Sequence, residues 1–323
     1  MSACQPWLPD PNPILPWIDG SYTTPWDTTK RFCQRTIVNE LSFSVAPGEV
    51  FGFLGRNGAG KTTSLRMILD IIRPDSGSII VFDQVPGILD RTRIGFLPEE
   101  RGLYRTMTAA ETVGFVGQLK GMTRTAAAAA TAALLERFGL ADHRNKKVQE
   151  LSKGMAQKVQ LATALVNKPD LILLDEPFSG LDPVNQELLE KEIHLAATRG
   201  ASIVFSTHVM QHAERLCNRF LVLDHGRKRF EGTLGEAQRT LPCRIKGLSD
   251  RLPMETSAVR LLSSGADSDG WSEWTAEIGR SHDPQDFLQH LTETGMVLRR
   301  FEVMRRELHD IFIDLVGSQE AFR

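Results

Sequence analysis

A chain of 323 residues is long enough to bury a large core and to hold two domains. Its 38 basic and 40 acidic residues leave a formal charge of -2, so whole-chain charge gives no footprint of nucleic-acid binding, and no nucleic-acid partner is expected. A hydrophobic content of 41% excludes wholesale disorder, and no apolar run approaches the roughly 18 residues of a membrane-spanning helix.

The first stretch, "MSACQPWLPDPNPILPWIDG", lacks the basic start and continuous apolar centre of a secretory signal. Proline at this density prevents regular helix or central strand. Residues 1–28 therefore predict a flexible extension, or an arm whose Trp7, Trp17 and Trp26 dock on this protein or a partner. The cysteines, Cys4, Cys33, Cys217 and Cys243, are scattered and form no CxxC, as reduced structural thiols of a cytoplasmic protein would be.

From residue 36, "TIVNELSFSVAPGEVFGFLG" alternates and then becomes nearly continuous apolar, as strands do. Short apolar runs recur at 79–82, 93–97, 171–174, 202–205 and 220–223, with helical patterns at 62–72, 109–121, 124–138 and 185–198. Strands alternating with helices predict a mainly parallel sheet covered on both faces. The alanine run 126–130 fits a helix of a helical subdomain. "DHGRKRFEG" reads as a hairpin closing the core near residue 232. Beyond 236, "LPCRIKGLSDRLP", "WSEWTAEIG" and "MVLRRFEVM" predict short strands of a small α+β module, ended by the amphipathic helix "RRELHDIFIDLVG".

"GRNGAGKTT" fits G-x-x-x-x-G-K-[ST] between an apolar strand and a helical pattern. Glycines let the backbone turn its N–H groups toward phosphate oxygens, and the helix N-terminus adds donors and a positive dipole end. Gly55, Asn57, Gly58, Ala59, Gly60, Lys61, Thr62 and Thr63 are thus candidates to bind a nucleoside triphosphate. Lys61 would reach the β- and γ-phosphates, and Thr62 would ligate Mg²⁺.

"LILLDEP" delivers Asp175 and Glu176 at the tip of a buried strand, where open α/β sheets place their ligands. Asp175 suits Mg²⁺, and Glu176 is placed to polarise a water for attack on the γ-phosphate. "FSGLDP" follows, then "IVFSTH", a second strand ending in His208.

With these residues in hand, the chain resembles the ATP-binding subunit of an ABC transporter across about residues 28–235. "GRNGAGKTT" resembles its Walker A motif, "LILLDEP" its Walker B, "SGLD" with Asp182 its D-loop, and "STH" its switch histidine; "LSKGMAQK" takes the place of its signature. The resemblance implies a P-loop NTPase core of α/β class, with an antiparallel β edge and a helical subdomain at about 98–165. The domains would then be 1–28 as extension, 29–235 as ATP-binding domain and 236–323 as accessory α+β domain.

It further implies ATP and Mg²⁺ as ligands, Glu176, His208 and Lys61 as catalytic residues, and Phe32 as the aromatic that stacks on adenine, with Tyr22 its rival. Glu99 stands at the expected Q-loop glutamine, with Glu100 as the alternative register; a carboxylate can ligate Mg²⁺ but cannot donate an N–H bond. In the family, two subunits pair head to tail and each signature covers the other's γ-phosphate. Ser152, Lys153 and Gly154 would act on the partner's ATP, Lys153 standing either beside that phosphate or in solvent, while Met155 removes the usual glutamine. A side chain in place of glycine gives Lys153 a negative φ or strain, and Met155–Ala164 is expected to start the helix aimed at the anion.

"LPEERGLY" with "LSKGM" resembles a branch of bacterial sodium-efflux and drug exporters. The expected partners are an integral membrane permease and a second ATPase subunit, identical or similar, with the chain peripheral on the cytoplasmic face of the membrane. The competing class is a soluble ABC ATPase acting on ribosomes or chromosomes. A regulatory paralogue without hydrolysis conflicts with the intact Lys61, Asp175, Glu176 and His208.

Overall fold

The computed structural model describes residues 22–84, 90–100, 102–266, 270–279 and 282–317, without the side chains of 22–26. Cys4, Trp7, Trp17 and the side chains of Tyr22 and Trp26 thus lie outside the described residues. Strands β1 (Tyr22–Phe32) and β2 (Arg35–Val45) pair antiparallel as a two-stranded sheet. β1 opens inside the stretch 1–28 expected to lie outside the fold, which corrects that boundary. Its register shifts between Thr24 and Thr28, around Pro25, which has no N–H to give the ladder.

β3 (Val50–Leu54), buried throughout, runs into α1 (Lys61–Ile68). The helix expected over 62–72 stops early because Asp70 takes φ 54 and the Ile71 and Ile72 amides fold back to the Arg66 carbonyl. The strand expected at 79–82 reduces to one bridge, Val81 to Gln84, since Phe82 (φ 53) and Asp83 (φ 59) turn the chain on itself. β4 (Ile94–Leu97) then leads into three helices, α2 (Ala109–Leu119), α3 (Arg124–Arg137) and α4 (Lys153–Leu165). Each begins on a side-chain cap, Thr108, Thr123 and Ser152, that takes up an otherwise unpaired backbone N–H.

The chain continues through β5 (Leu171–Asp175), α5 (Pro183–Thr198), β6 (Ser202–Thr207), α6 (Met210–Leu216), β7 (Arg219–Asp224) and β8 (Arg227–Gly232). The six-stranded sheet has the order β4-β5-β6-β3-β7-β8 and is parallel except for β8. The expected hairpin forms at His225 (φ 47) and Gly226 (φ 76), a pair of positive φ values whose twist suits a two-residue turn.

Alternation along each strand divides the interior in two. Phe51, Phe53, Leu171, Leu173 and Val204 face α1 and the β1–β2 sheet. Val50, Leu54, Ile172, Leu174, Ile203 and Phe205 face the other helices. The tips of β3, β5 and β6 meet between these two cores.

After α7 (Leu234–Arg239) come β9 (Cys243–Ser249), β10 (Val259–Ala266), β11 (Ser272–Ile278), α8 (Pro284–Glu293) and β12 (Leu298–Met304). These strands form an antiparallel sheet of order β10-β11-β9-β12, with its own core of Ile245, Trp274, Ala276, Ile278, Phe287 and Leu291. A Cβ on Gly247 would fall inside the indole of Trp274, whose Nε1 donates to Ser249 Oγ at 2.7 Å.

The last helix, α9 (Leu308–Gly317), departs from the sequence reading. It was expected to complete the small module, yet Leu308, Ile311, Phe312 and Val316 pack into the main core with Leu216, Phe220 and Val222. Arg306, 5% exposed, fixes this return by ion pairs to Glu277 at 3.4 Å and Asp314 at 2.6 Å.

Candidate functional site

The loop between β3 and α1 turns on Gly58 (φ 80) and Gly60 (φ 109). Gly60 has a second reason to lack a side chain, since a Cβ would stand 2.8 Å from the Ile37 carbonyl. Lys61 opens α1 and is 6% exposed; its Nζ donates to the Gly55 carbonyl at 2.7 Å and the Arg56 carbonyl at 3.3 Å. Asn57, Gly58, Gly60, Thr62 and Thr63 border a cavity of about 580 Å³, with Phe32 on its wall. Ala59 is buried and contributes backbone only, its carbonyl accepting from the Gly226 amide. Phe32 is 46% exposed at the end of β1, with the Lys30 ammonium 5.4 Å from its ring centre.

β5 ends in Asp175, 2% exposed, and the next residue, Glu176, takes φ 48, in the left-handed region. That backbone turns the Glu176 carboxylate toward the loop: Oε1 is 3.3 Å from Lys61 Nζ, and Oε2 is 3.0 Å from His208 Nδ1. Sequence reasoning missed Ser206. Its Oγ donates to Asp175 Oδ1 at 2.5 Å and accepts from the Glu176 amide at 3.0 Å, holding both acids. The signal was the serine of "STH", placed opposite Asp175 by the β5–β6 register.

Glu99 lines this cavity and also an adjoining one of about 510 Å³ that contains Asp175, Glu100 and Lys153; Glu176 borders both. Glu100 borders only the second, so Glu99 is the one of the two that shares a cavity with the phosphate loop. Among the described residues, no group of three or more His, Cys, Asp or Glu could hold a metal by itself.

Ser152 is exposed and caps α4, accepting from the Met155 amide at 3.3 Å. Lys153 is the first helical residue and is absent from the positive-φ positions, as expected for a residue replacing glycine. Its side chain lies along its own chain's "SGLD" segment, Cε and Nζ each 3.0 Å from where a Cβ of Gly180 would stand. Asp182 caps α5, accepting from the Asn185 amide at 2.9 Å. Ser152 and Gly154 border neither cavity of their own chain.

Behind the site, His212 stacks on Phe178 with ring centres 4.0 Å apart. Burial is the largest influence on its imidazole and holds its pKa below the usual histidine value.

The profile of the ABC transporter family matches residues 38–179. The chain is 38% identical to the uncharacterized ABC transporter ATP-binding protein YhaQ of Bacillus subtilis, over 90% of this chain and 97% of that one. It is 42% identical to the Nod factor export ATP-binding protein I of Paraburkholderia xenovorans, over 63% of this chain and 68% of that one. A solved structure of an ATP-binding subunit of an ABC transporter superposes with a TM-score of 0.64 at 29% identity, covering 68% of this chain and 92% of that one. A likeness to YhaQ over nearly the whole of both chains, with the phosphate loop and the Asp-Glu pair on converging strand tips, leaves one reading: the chain belongs to the ATP-binding subunits of ABC transporters and is an ATPase.

Proposed function

We propose that this subunit powers export through a separate membrane permease by closing head to tail on a second ATPase subunit when both hold ATP. The carrying observation is the isolation of Ser152. It sits at the N-terminus of a 13-residue helix, exposed, yet borders neither cavity of its own chain. A helix N-terminus whose capping hydroxyl still has its own hydrogen to donate suits an anion, and the γ-phosphate of a partner's ATP supplies one.

In this reading the phosphate loop amides and Lys61 hold the β- and γ-phosphates, with adenine on Phe32. Glu176 takes a proton from the attacking water, and His208 holds the γ-phosphate while Glu176 keeps its ring in place. The donor set fits Mg²⁺: the Thr62 hydroxyl and the Asp175 carboxylate are hard oxygens too few for a protein cage, and Mg²⁺ characteristically keeps waters and phosphate oxygens as its remaining ligands. Bound there, with Glu99 as a further candidate ligand, it would neutralise charge on the β- and γ-phosphates.

Residues 22–235, β1 included, form the ATP-binding unit and 236–304 the accessory α+β unit, with α9 returning to the former. ATP-binding subunits of this family work with membrane permease components, and among the described residues no helix is long and apolar enough to cross a membrane. The proposed location is therefore peripheral, on the cytoplasmic face, with the permease choosing the substrate. Export follows the Nod factor export relative.

The test is Glu176→Gln, followed by light scattering with and without ATP. An ATP-dependent dimer with little turnover is expected; a monomer with unimpaired hydrolysis would overturn the proposal.

A further inference from the structure

The helix that carries the signature segment is tied by two amides to the loops that carry the site's acids. Gln157 and Gln160 lie three residues apart on α4 and share a face. Gln160 is 4% exposed, and its Nε2 donates at 3.2 Å to both the Pro98 and the Glu100 carbonyls, those of the residues before and after Glu99. Both hydrogens of one amide nitrogen are thus committed to one loop. Gln157 Nε2 donates at 3.0 Å to the Pro177 carbonyl, immediately after Glu176. At the head of the same helix, Lys153 lies over Gly180, further along that second loop.

We infer that Gln160 and Gln157 are positioning residues that make the place of Ser152 and the places of Glu99 and Glu176 in the same subunit interdependent. The inference rests on the head-to-tail reading above and gives it a route between the two ATP sites. Ser152 starts α4, so a displacement of that end by a partner's γ-phosphate moves the helix. The three carbonyls must follow it or lose their donors, which costs most at the buried Pro177 and for the buried Gln160 amide, and least at the exposed Glu100. Glu176 is sensitive to such a shift because its left-handed backbone stands between two fixed points, the Ser206 hydroxyl on its amide and the Gln157 amide on the next carbonyl. Linkage requires the reverse effect as well: ATP drawing Glu176 and Glu99 into place in one site biases the signature that serves the other.

The full chain with Mg²⁺ and ATP tests this through three variants. Gln160→Leu and Gln157→Leu remove the donors, and Gln160→Glu keeps the size of the side chain without an amide. Equilibrium binding of a trinitrophenyl-ATP probe is expected to stay within about two-fold, because no phosphate-loop residue is altered. Turnover is expected to fall between about ten- and a hundred-fold, as for a small misplacement of reacting groups. The Hill coefficient for ATP is expected to fall toward one, and ATP should still dimerise the chain in a Glu176→Gln background. Gln160→Glu must behave as Gln160→Leu does; wild-type turnover in that variant overturns the inference. So does a fall in turnover with an unchanged Hill coefficient in variants of wild-type melting temperature. If Gln160→Leu does not fold, Gln157→Leu, which frees a single carbonyl, decides. Failure of Glu176→Gln alone to dimerise would instead overturn the two-subunit reading.

Discussion

His208 Nδ1 stands 3.0 Å from Glu176 Oε2, while the other oxygen of the same carboxylate lies 3.3 Å from Lys61 Nζ. His208 and Glu176 directly follow the ends of β6 and β5, and Lys61 opens α1 after the loop that leaves β3, three strands that the parallel register brings side by side. A carboxylate held by two cationic or hydrogen-bonding groups has its direction fixed before a water arrives. The imidazole is fixed through Nδ1, which leaves Nε2 as the nitrogen that the proposed mechanism turns to the γ-phosphate.

His208→Ala is therefore expected to lower kcat about a hundred-fold, the scale of one general acid–base or positioning group. KM for ATP should change little, because the phosphate loop and Phe32 are untouched. Steady-state kinetics over an ATP titration check this, and a variant that raised KM at unchanged kcat would make His208 a binding residue only.

His212 gives a pH prediction for stability. Its imidazole faces Glu190, Arg215 and Glu176, and burial outweighs the carboxylates to hold its pKa low. The unfolded chain then takes up a proton at the ordinary histidine value of about 6.5, before the folded chain does. Stability from this group is thus full above that pH and is lost as pH falls from there toward the depressed folded value. His212→Phe keeps the stack on Phe178 without the titration. Its urea midpoint should fall less than that of the wild type between pH 7 and 5.

The site was legible where sequence neighbours are also spatial neighbours. Strand, phosphate loop and helix run continuously through Gly55–Lys61–Thr62, and Asp175 with Glu176 end one buried run. Ser206 was not, because what it does depends on facing Asp175 across a strand pair, and a lone serine before a histidine carries no register. Gln157 and Gln160 read as ordinary helix polar residues, since their partners are carbonyls of distant loops. The amphipathic pattern of α9 showed that it buries a face but not against which core. The run 79–82 was too short for periodicity to separate a strand from a turn.

The separate core of the four-stranded sheet yields a third prediction. Trp274 is 1% exposed and fills the space left by Gly247, so Trp274→Ala should cost about 3–5 kcal/mol. Because α9 packs on the ATP-binding core and not on this sheet, the loss should stay within residues 243–304. Limited proteolysis should cut there first while ATP-probe binding persists. Simultaneous loss of both would show one cooperative unit.

Lys153 supplies the last prediction, because its reach separates two roles. Gly180 has φ 72, so Gly180→Ala adds a left-handed backbone cost of about 1–2 kcal/mol and a methyl group 3.0 Å from the Lys153 Cε and Nζ. If the ammonium serves its own D-loop, as the geometry places it, Lys153→Ala makes room for that methyl. The effect of Gly180→Ala on ATP-driven dimerisation, read in the Glu176→Gln background, should then shrink when Lys153 is already alanine. A double-mutant cycle should give a coupling of about 0.5–1 kcal/mol. A lysine reaching for a partner's phosphate behaves otherwise: Lys153→Ala alone would weaken the dimer strongly at low salt, and the cost of Gly180→Ala would be the same in both backgrounds. The packing of Lys153 across Gly180 favours the first result, with the lysine acting as a brace between signature and D-loop of one subunit.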